Sequence, residues 1–233
     1  MAVRLTKRAK ANTELAPKQA MDAGEAVAAL KKFKAPKFDQ TVNIVMHLGL
    51  DQTQADQNLR GAIALPKGIG KTKRVIAFCG DDQTAAAKEA GAIKAGGASL
   101  VEEVEKGFLD FDVAIASPDM MRIMAKLGRV LGPKGLMPSP KNGTVTPQVA
   151  QAVKEFSAGK LEYRTDKGGN IHAIIGKMSF AESDLAANLS AFIETIEKAR
   201  PPSAKGIFIK RVFVSGAMTP SVQIKYQQAE VEA

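Results

Sequence analysis

Apolar and polar residues alternate strictly from Thr41 to Leu48. Val42, Ile44, Met46 and Leu48 fall on one side, and Thr41, Asn43, Val45 and His47 on the other. A period of two predicts a strand with one buried face. Upstream, DAGEAVAALKKF (22–33) has helical spacing, with Val27, Leu30 and Phe33 along one side and Asp22 and Glu25 at capping-box distance. Residues 1–20 read as flexible. After the polar stretch DQTQADQN, LRGAIAL (59–65) predicts a second strand, and PKGIGKTK (66–73) then breaks the pattern with Pro and Gly.

Beyond that break the texture changes. RVIAFC (74–79) and FDVAIAS (111–117) are short apolar runs of the kind buried on both faces. Between and after them lie helical patterns: DDQTAAAKEAGA, ASLVEEVEKG, PDMMRIMAKLGRVL (opening with Pro) and TPQVAQAVKEFSAG. Strand–helix alternation predicts a layered α/β domain with a parallel sheet. From about residue 160 the first texture returns. KLEYRTD and NIHAIIGKM read as strands around a DKGGN turn. AESDLAANLSAFIETIEKA is an amphipathic helix with Leu185, Leu189, Phe192, Ile193 and Ile196 on one stripe, and GIFIKRVFVSG and SVQIKY are two more strands. The tail QQAEVEA reads as frayed. The expected fold is α/β: a discontinuous α+β domain from both termini (1–67 and 160–233) with an inserted three-layer, Rossmann-like α/β domain (68–159). The chain crosses between them at a double-stranded hinge near 67–71 and 158–161.

Charge changes this picture. The net charge is +9, and residues 1–37 carry nine Lys/Arg against three Asp/Glu. A basic arm fits a polyanionic partner, nucleic acid first, although a solubilising tail has the same composition. One cysteine excludes an internal disulfide and fits a reducing, cytoplasmic setting. No apolar run reaches the roughly 18 residues of a membrane span, and no apolar stretch follows the basic start as a secretory signal requires. With two histidines and one cysteine, no usual zinc site is expected, although carboxylate metal sites stay open.

The catalytic motifs fail one by one. KGIGKT resembles a P-loop, but Leu65 stands where the first glycine belongs, and a strand pattern follows instead of a helix. The turn after RVIAFC is GDDQ, whose Asp81 and Asp82 would repel a pyrophosphate. A nucleotide-dependent enzyme on the layered domain therefore lacks its glycine pattern. Cys79 ends a buried strand and reads as core. His47 and His172 have no nucleophile elbow beside them, and Asp110 and Asp112 read as strand-start residues. No cofactor and no metal are expected.

Nucleic-acid binding remains. Phe38 follows Lys34 and Lys37, so a ring could stack a base while the lysines hold phosphate. A core phenylalanine at a strand start explains the same residues. The turn YRTDKGGNIH offers Arg164, Lys167 and His172, with Gly168 and Gly169 allowing close backbone approach. IKRVFVSGAMTPS adds Lys210 and Arg211 before a small-residue corner at Met218 and Thr219. The segment LGRVLGPKGLMPSPKNGTVT (127–146) has three prolines, four glycines and the cations Arg129, Lys134 and Lys141, with no carboxylate. It is expected to be pre-extended and RNA-facing, so that ordering on RNA costs little entropy. A structural crossover that is merely basic is the rival.

Taken together, that segment and DQNLRG (56–61), LPKGIGK (65–71), FDVAIASPD (111–119), YRTDKGGNIHAIIGK (163–177) and AKGIFIK (204–210) resemble, in order, the bacterial form of the large-subunit ribosomal protein one family, the proteins of the mobile side stalk. The likeness runs from about Lys18 to Ile224. It implies a non-enzymatic, two-domain protein, monomeric within the ribosome, bound to large-subunit rRNA mainly through the two-ended domain. It also implies a part in releasing exit-site tRNA and repression of its own operon mRNA. The family's RNA contacts fall here on Phe38 and Thr41, on the turn Asp166, Lys167, Gly168 and Gly169, and on Met218. The corner departs from the family's usual Thr-Thr-Met-Gly: Gly216, Ala217, Met218 and Thr219 stand here. Loss of a hydroxyl at Ala217 is expected to cost about 1 kcal/mol of RNA contact, and Thr219 is expected to hold RNA further off than glycine.

Overall fold

The computed structural model describes residues 6–204 and 206–226. In chain order its elements are α1 (Lys7–Leu15), α2 (Ala23–Lys32), β1 (Thr41–Leu48), β2 (Arg60–Ile63), β3 (Val75–Phe78), α3 (Asp81–Glu89), β4 (Lys94–Gly96), α4 (Ala98–Glu105) and β5 (Val113–Ala116). They continue with α5 (Met121–Met124), α6 (Gly128–Leu131), α7 (Val149–Ser157), β6 (Leu161–Arg164), β7 (Asn170–Lys177), α8 (Glu182–Lys198), β8 (Ile209–Gly216) and β9 (Ser221–Ile224). Short 3-10 turns punctuate them. The chain is thus of mixed α/β class. It divides into two units, one taking the chain to Gly70 and again from Tyr163, the other Lys71–Glu162. The tail read as frayed, and the first five residues of the basic arm, lie outside the described residues.

The first unit is built on an antiparallel sheet of order β7-β1-β8-β9. The alternation in β1 explains its layering. Val42, Ile44, Met46 and Leu48 are buried with Ile171, Ala173, Ile175, Val212, Val214, Val222 and Ile224. Helices α2 and α8 pack over that face, bringing Ala26, Val27, Leu30, Leu185, Leu189, Phe192 and Ile196. Ile193 is only half-buried. Strands β2 and β6 form a separate two-stranded sheet. Buried Asn188 on α8 closes a polar junction: its Oδ1 accepts from the Lys67 N–H at 3.0 Å, and its Nδ2 donates to the carbonyls of Gly68 (2.9 Å) and Ile175 (2.8 Å).

The start of the chain departs from expectation. Residues 7–15 form a helix, not a flexible arm. Thr6 caps it, accepting from the Ala9 N–H, and buried Asn12 exchanges hydrogen bonds with the backbone of Lys34. That tertiary anchor holds a segment with no apolar stripe. Asp22 occupies the N-cap of α2, but its carboxylate caps nothing; only its carbonyl accepts, from the Ala26 N–H.

The second unit has three layers. Parallel strands run in the order β4-β3-β5, with Val145 bridging in parallel to Ala116. Ile76, Phe78, Ala114 and Ala116 face Leu100, Val101 and Val104 of α4 and Met120, Met124, Leu127 and Leu131. Helices α3 and α7 cover the opposite face. Strand β4 is missing from the sequence reading because three residues carry no period. The pattern read as one helix over 118–131 is broken by a 3-10 turn at Ala125–Leu127, next to Gly128.

The Gly/Pro segment is not extended. Gly135 and Leu136 N–H groups donate back to Gly132 and Leu131, and Asn142 and Gly143 close turns on Ser139 and Pro140. Thr144 Oγ1 accepts from the Ser139 N–H at 2.8 Å, and buried Asn142 donates to Glu162. The cause is apolar: Leu136 and Met137 pack on the core and pull the chain down. Strand starts are tied by charge, Arg74 pairing with Asp110 and Asp112, as their reading as strand-start residues anticipated. Cys79 is fully buried, and burial pushes its thiol up, which suits core packing rather than catalysis.

Candidate nucleic-acid interface

With two helices on one face of the four-stranded sheet, the other face stays open. Register defines it. Asn43 stands between Ile174 and Ser215, Val45 between His172 and Phe213, and His47 between Asn170 and Arg211. Gln223 and Ser221 extend the rows through Phe213 and Ser215. None of these side chains is buried, and Ile174 and His172 are exposed. The surface mixes the Phe213 ring, two imidazoles, two aliphatics, amides, hydroxyls and the Arg211 guanidinium, which suits stacking and hydrogen bonding to splayed bases.

At one end of β1 the chain before the strand is stitched to both neighbours. The Met178 N–H donates to the Gln40 carbonyl at 2.8 Å, and Asp39 accepts from the Ser179 N–H and hydroxyl. Across the strand, the Ala217 N–H donates to the Thr41 carbonyl and the Met218 N–H to Gln40 Oε1 at 2.8 Å. Lys177 Nζ donates to Thr41 Oγ1 at 3.0 Å. This stitching leaves Phe38 52% and Met218 57% exposed. An ordinary core phenylalanine is thereby ruled out at position 38. Lys37 is exposed beside it. Gln40 escaped the sequence reading: it is 1% exposed, orients the Met218 corner, and keeps Nε2 without a protein partner.

The corner explains its own unusual sequence. Thr219 Oγ1 accepts from the Gly216 N–H at 2.9 Å and closes the turn. A Cβ at position 216 would lie 2.8 Å from that oxygen and 3.3 Å from Gln40 Oε1. Glycine at 216 and threonine at 219 therefore go together. The hydroxyl is spent on the turn, and Thr219 is only half-exposed.

At the other end of β1 stands the 166–170 turn. Asp166 Oδ1 accepts from the N–H groups of Gly168 (2.9 Å) and Asn170 (2.7 Å), and Oδ2 lies 3.3 Å from His172 Nε2. The Asn170 backbone bond, with the others, holds the Asp166 carboxyl below its usual range. Its oxygens organise the turn, leaving Lys167, exposed Gly168 and His172 to face outward. His47 Nδ1 meets Asn170 Oδ1 at 2.9 Å, which occupies that histidine structurally. Gly169 has φ 73°, and a Cβ there would lie 3.3 Å from the Leu48 carbonyl oxygen. We expect Gly169→Ala to cost about 1–2 kcal/mol through left-handed backbone strain, read as faster hydrogen exchange across β7.

The two ends of β1 are seven residues apart, roughly 23 Å along a strand. The open face joins them, so the segments before β1, at the 166–170 turn and after β8 share one sheet. Lys210 sits at the irregularity where pairing shifts between His47 and Leu48, while Arg211 stands on the open face. Arg164 is exposed on β6, outside the four-stranded sheet. Arg129, Lys134 and Lys141 are exposed in the second unit. The sequence reading missed Asn43, Val45, Ile174 and Phe213 as a surface; the alternation of β1 carried over to β7 and β8 would have found them. Among the described residues no cluster of three or more His, Cys, Asp or Glu is placed to hold a metal, and no helix is long and apolar enough to cross a membrane.

Comparison with known proteins adds an independent line. The model of the ribosomal protein L1p/L10e family matches residues 30–220. The large ribosomal subunit protein uL1 of Actinobacillus succinogenes is 50% identical over 222 residues, covering 95% of this chain and 97% of that protein. The protein of the same name from Mannheimia succiniciproducens is 49% identical over the same shares. That from Neisseria gonorrhoeae is 52% identical over 200 residues, 86% of this chain and 87% of its own.

Proposed function

The chain belongs to the ribosomal protein L1p/L10e family: it is a large-subunit ribosomal protein and not an enzyme, and we propose that it docks on folded side-stalk rRNA through the open sheet face of its first unit. The observation that carries this reading is the stitched end of β1, which leaves Phe38 and Met218 more than half exposed on a hydrogen-bonded frame. Phe38 and Met218 flank the same Gln40-held corner, so the exposed apolar surface there is concentrated rather than singly scattered. Phe38 stacks a base, Met218 packs against a sugar or base edge, and Lys37, Lys167, Lys210 and Arg211 meet phosphates. The turn at 166–170 grips the second end of the same RNA.

The finer roles follow from the resemblance noted in the sequence. Release of deacylated tRNA from the exit site uses the protein as a carrier on the moving stalk. Repression of its own operon uses the same face on an mRNA that imitates the rRNA. On this reading rRNA fragment and leader mRNA compete for one site.

The test is a titration of the full chain against a side-stalk rRNA fragment and an unrelated hairpin at several salt concentrations. The fragment is expected to bind at least about tenfold tighter at matched salt, since charge alone does not discriminate sequence or shape. Equal binding of both RNAs would leave only the net charge acting and overturn the assignment of this face. Co-sedimentation with large subunits separates a ribosomal constituent from a free RNA-binding regulator.

A further inference from the structure

The second unit separates its charges. Residues 80–112 hold eight carboxylates and three lysines, whereas residues 120–154 hold six cations and no carboxylate. In the helical run 121–131 this segregation acquires a direction. Met120, Met124, Leu127 and Leu131 are buried in the core. At 100° per residue, Arg122, Lys126 and Arg129 lie nearly opposite them. All three are exposed, with exposed Ile123 beside them and Lys134 just beyond the helix. Among the described residues no carboxylate comes within ion-pairing distance of any of these four cations, although Lys71, Arg74, Lys94 and Lys160 of the same unit are paired.

Unpaired cations on one face of a nearly neutral unit repel one another unless an anion joins them. The spacing suits a polyanion: Arg122 to Arg129 spans about 10 Å of helix, over which a duplex offers roughly three phosphates per strand. Chemistry decides which polyanion. Single-stranded sites need exposed rings on which bases stack. The second unit has no tyrosine or tryptophan, and its phenylalanines are buried (Phe78, Phe111, Phe156) or half-buried (Phe108). Phosphates are what remains to be read.

We propose that Arg122, Lys126 and Arg129, extended by Lys134, form a second RNA site that tracks the backbone of a double-helical RNA without reading its sequence. It rests on the ribosomal reading only in taking RNA as the polyanion, and it is separate from the sheet face. The Gly/Pro segment supplies Lys134 at the end of this stripe as a folded turn.

The test is binding of the full chain to an unbulged 16-base-pair RNA duplex over a range of salt. The variant Arg122→Gln/Lys126→Gln/Arg129→Gln is expected to lower the slope of log K against log salt by about 2–3, near one for each phosphate no longer neutralised. The control Lys88→Gln/Lys106→Gln/Lys154→Gln removes equal charge from exposed, unconnected positions of the same unit and is expected to change the slope by less than about 1. An unchanged slope in the first variant, or an equal drop in both, overturns the proposal. If the triple variant folds poorly, single Arg122→Gln and Lys126→Gln chains, each expected to lower the slope by nearly 1, are compared with a single Lys88→Gln chain, expected to leave it unchanged. Phe38→Ala, measured on the stalk fragment alongside, reports on the sheet face independently: its failure there leaves the duplex result standing, and the reverse.

Discussion

Replacing Phe38 with alanine is expected to weaken binding to the side-stalk rRNA fragment by about 1–3 kcal/mol, roughly 5- to 150-fold, with little change in stability. The ring is 52% exposed, so its removal leaves no cavity, and surface changes of this kind stay within about 0.5 kcal/mol. The loss falls on the complex because a base stacked on the ring loses its partner face. Phe38→Leu separates stacking from simple apolar contact: leucine keeps much of the buried area and none of the π face. If stacking acts, the leucine chain binds nearly as weakly as the alanine chain. Parity between the leucine chain and the unaltered protein would sink the stacking role. The salt slope should stay unchanged in both, since every phosphate-facing cation is still in place.

Asn188 carries the other large effect, on stability. Its side chain serves three backbone groups from a fully buried position. Asn188→Leu leaves those groups without partners at about 1–3 kcal/mol for each that stays dry, so a total of about 3–4 kcal/mol is expected. Asn188→Asp is worse near neutral pH, because a carboxylate would face the carbonyls of Gly68 and Ile175 where an N–H₂ now donates. Burial raises the pKa of that new carboxyl above the unfolded value of about 3.9, so the N188D chain gains stability as pH falls through the folded pKa. Hydrogen exchange of α8 and β7 amides reads this within the first unit, without assuming that the whole chain melts in one step. Equal protection in N188D and the unaltered chain at pH 7 would show that water replaces the side chain.

Much of this architecture was legible because burial writes a period. The alternation in β1, the apolar runs of β3 and β5 and the stripe of α8 each report a face pressed against a core. What stayed hidden depends on partners distant in sequence. Helix α1 has no apolar stripe and is held by Asn12 on Lys34. Strand β4 exists through its pairing with β3. The Gly/Pro segment has the composition of an extended linker, yet Leu136 and Met137 fold it down. In the candidate site, the exposed ring, the 166–170 turn and the Met218 corner stood out by residue type. Gln40 did not, because its role is to hold a backbone N–H 178 residues away. Phe213 did not stand out either, because only the register of β8 against β1 places it opposite Val45 on the open face.

The strand order of the first unit sets a timetable for synthesis. Strand β1 is central, and both its neighbours, β7 and β8, lie beyond the second unit in the chain. The second unit is one continuous segment with mostly local pairings, so it acquires its contacts as it leaves the exit tunnel. Meanwhile TVNIVMHL waits with both edges bare until more than a hundred further residues have been made. A nascent chain arrested anywhere between Leu48 and Asn170 therefore displays an apolar strand with no sheet to join. Such a chain is a natural client for a chaperone and a seed for aggregation.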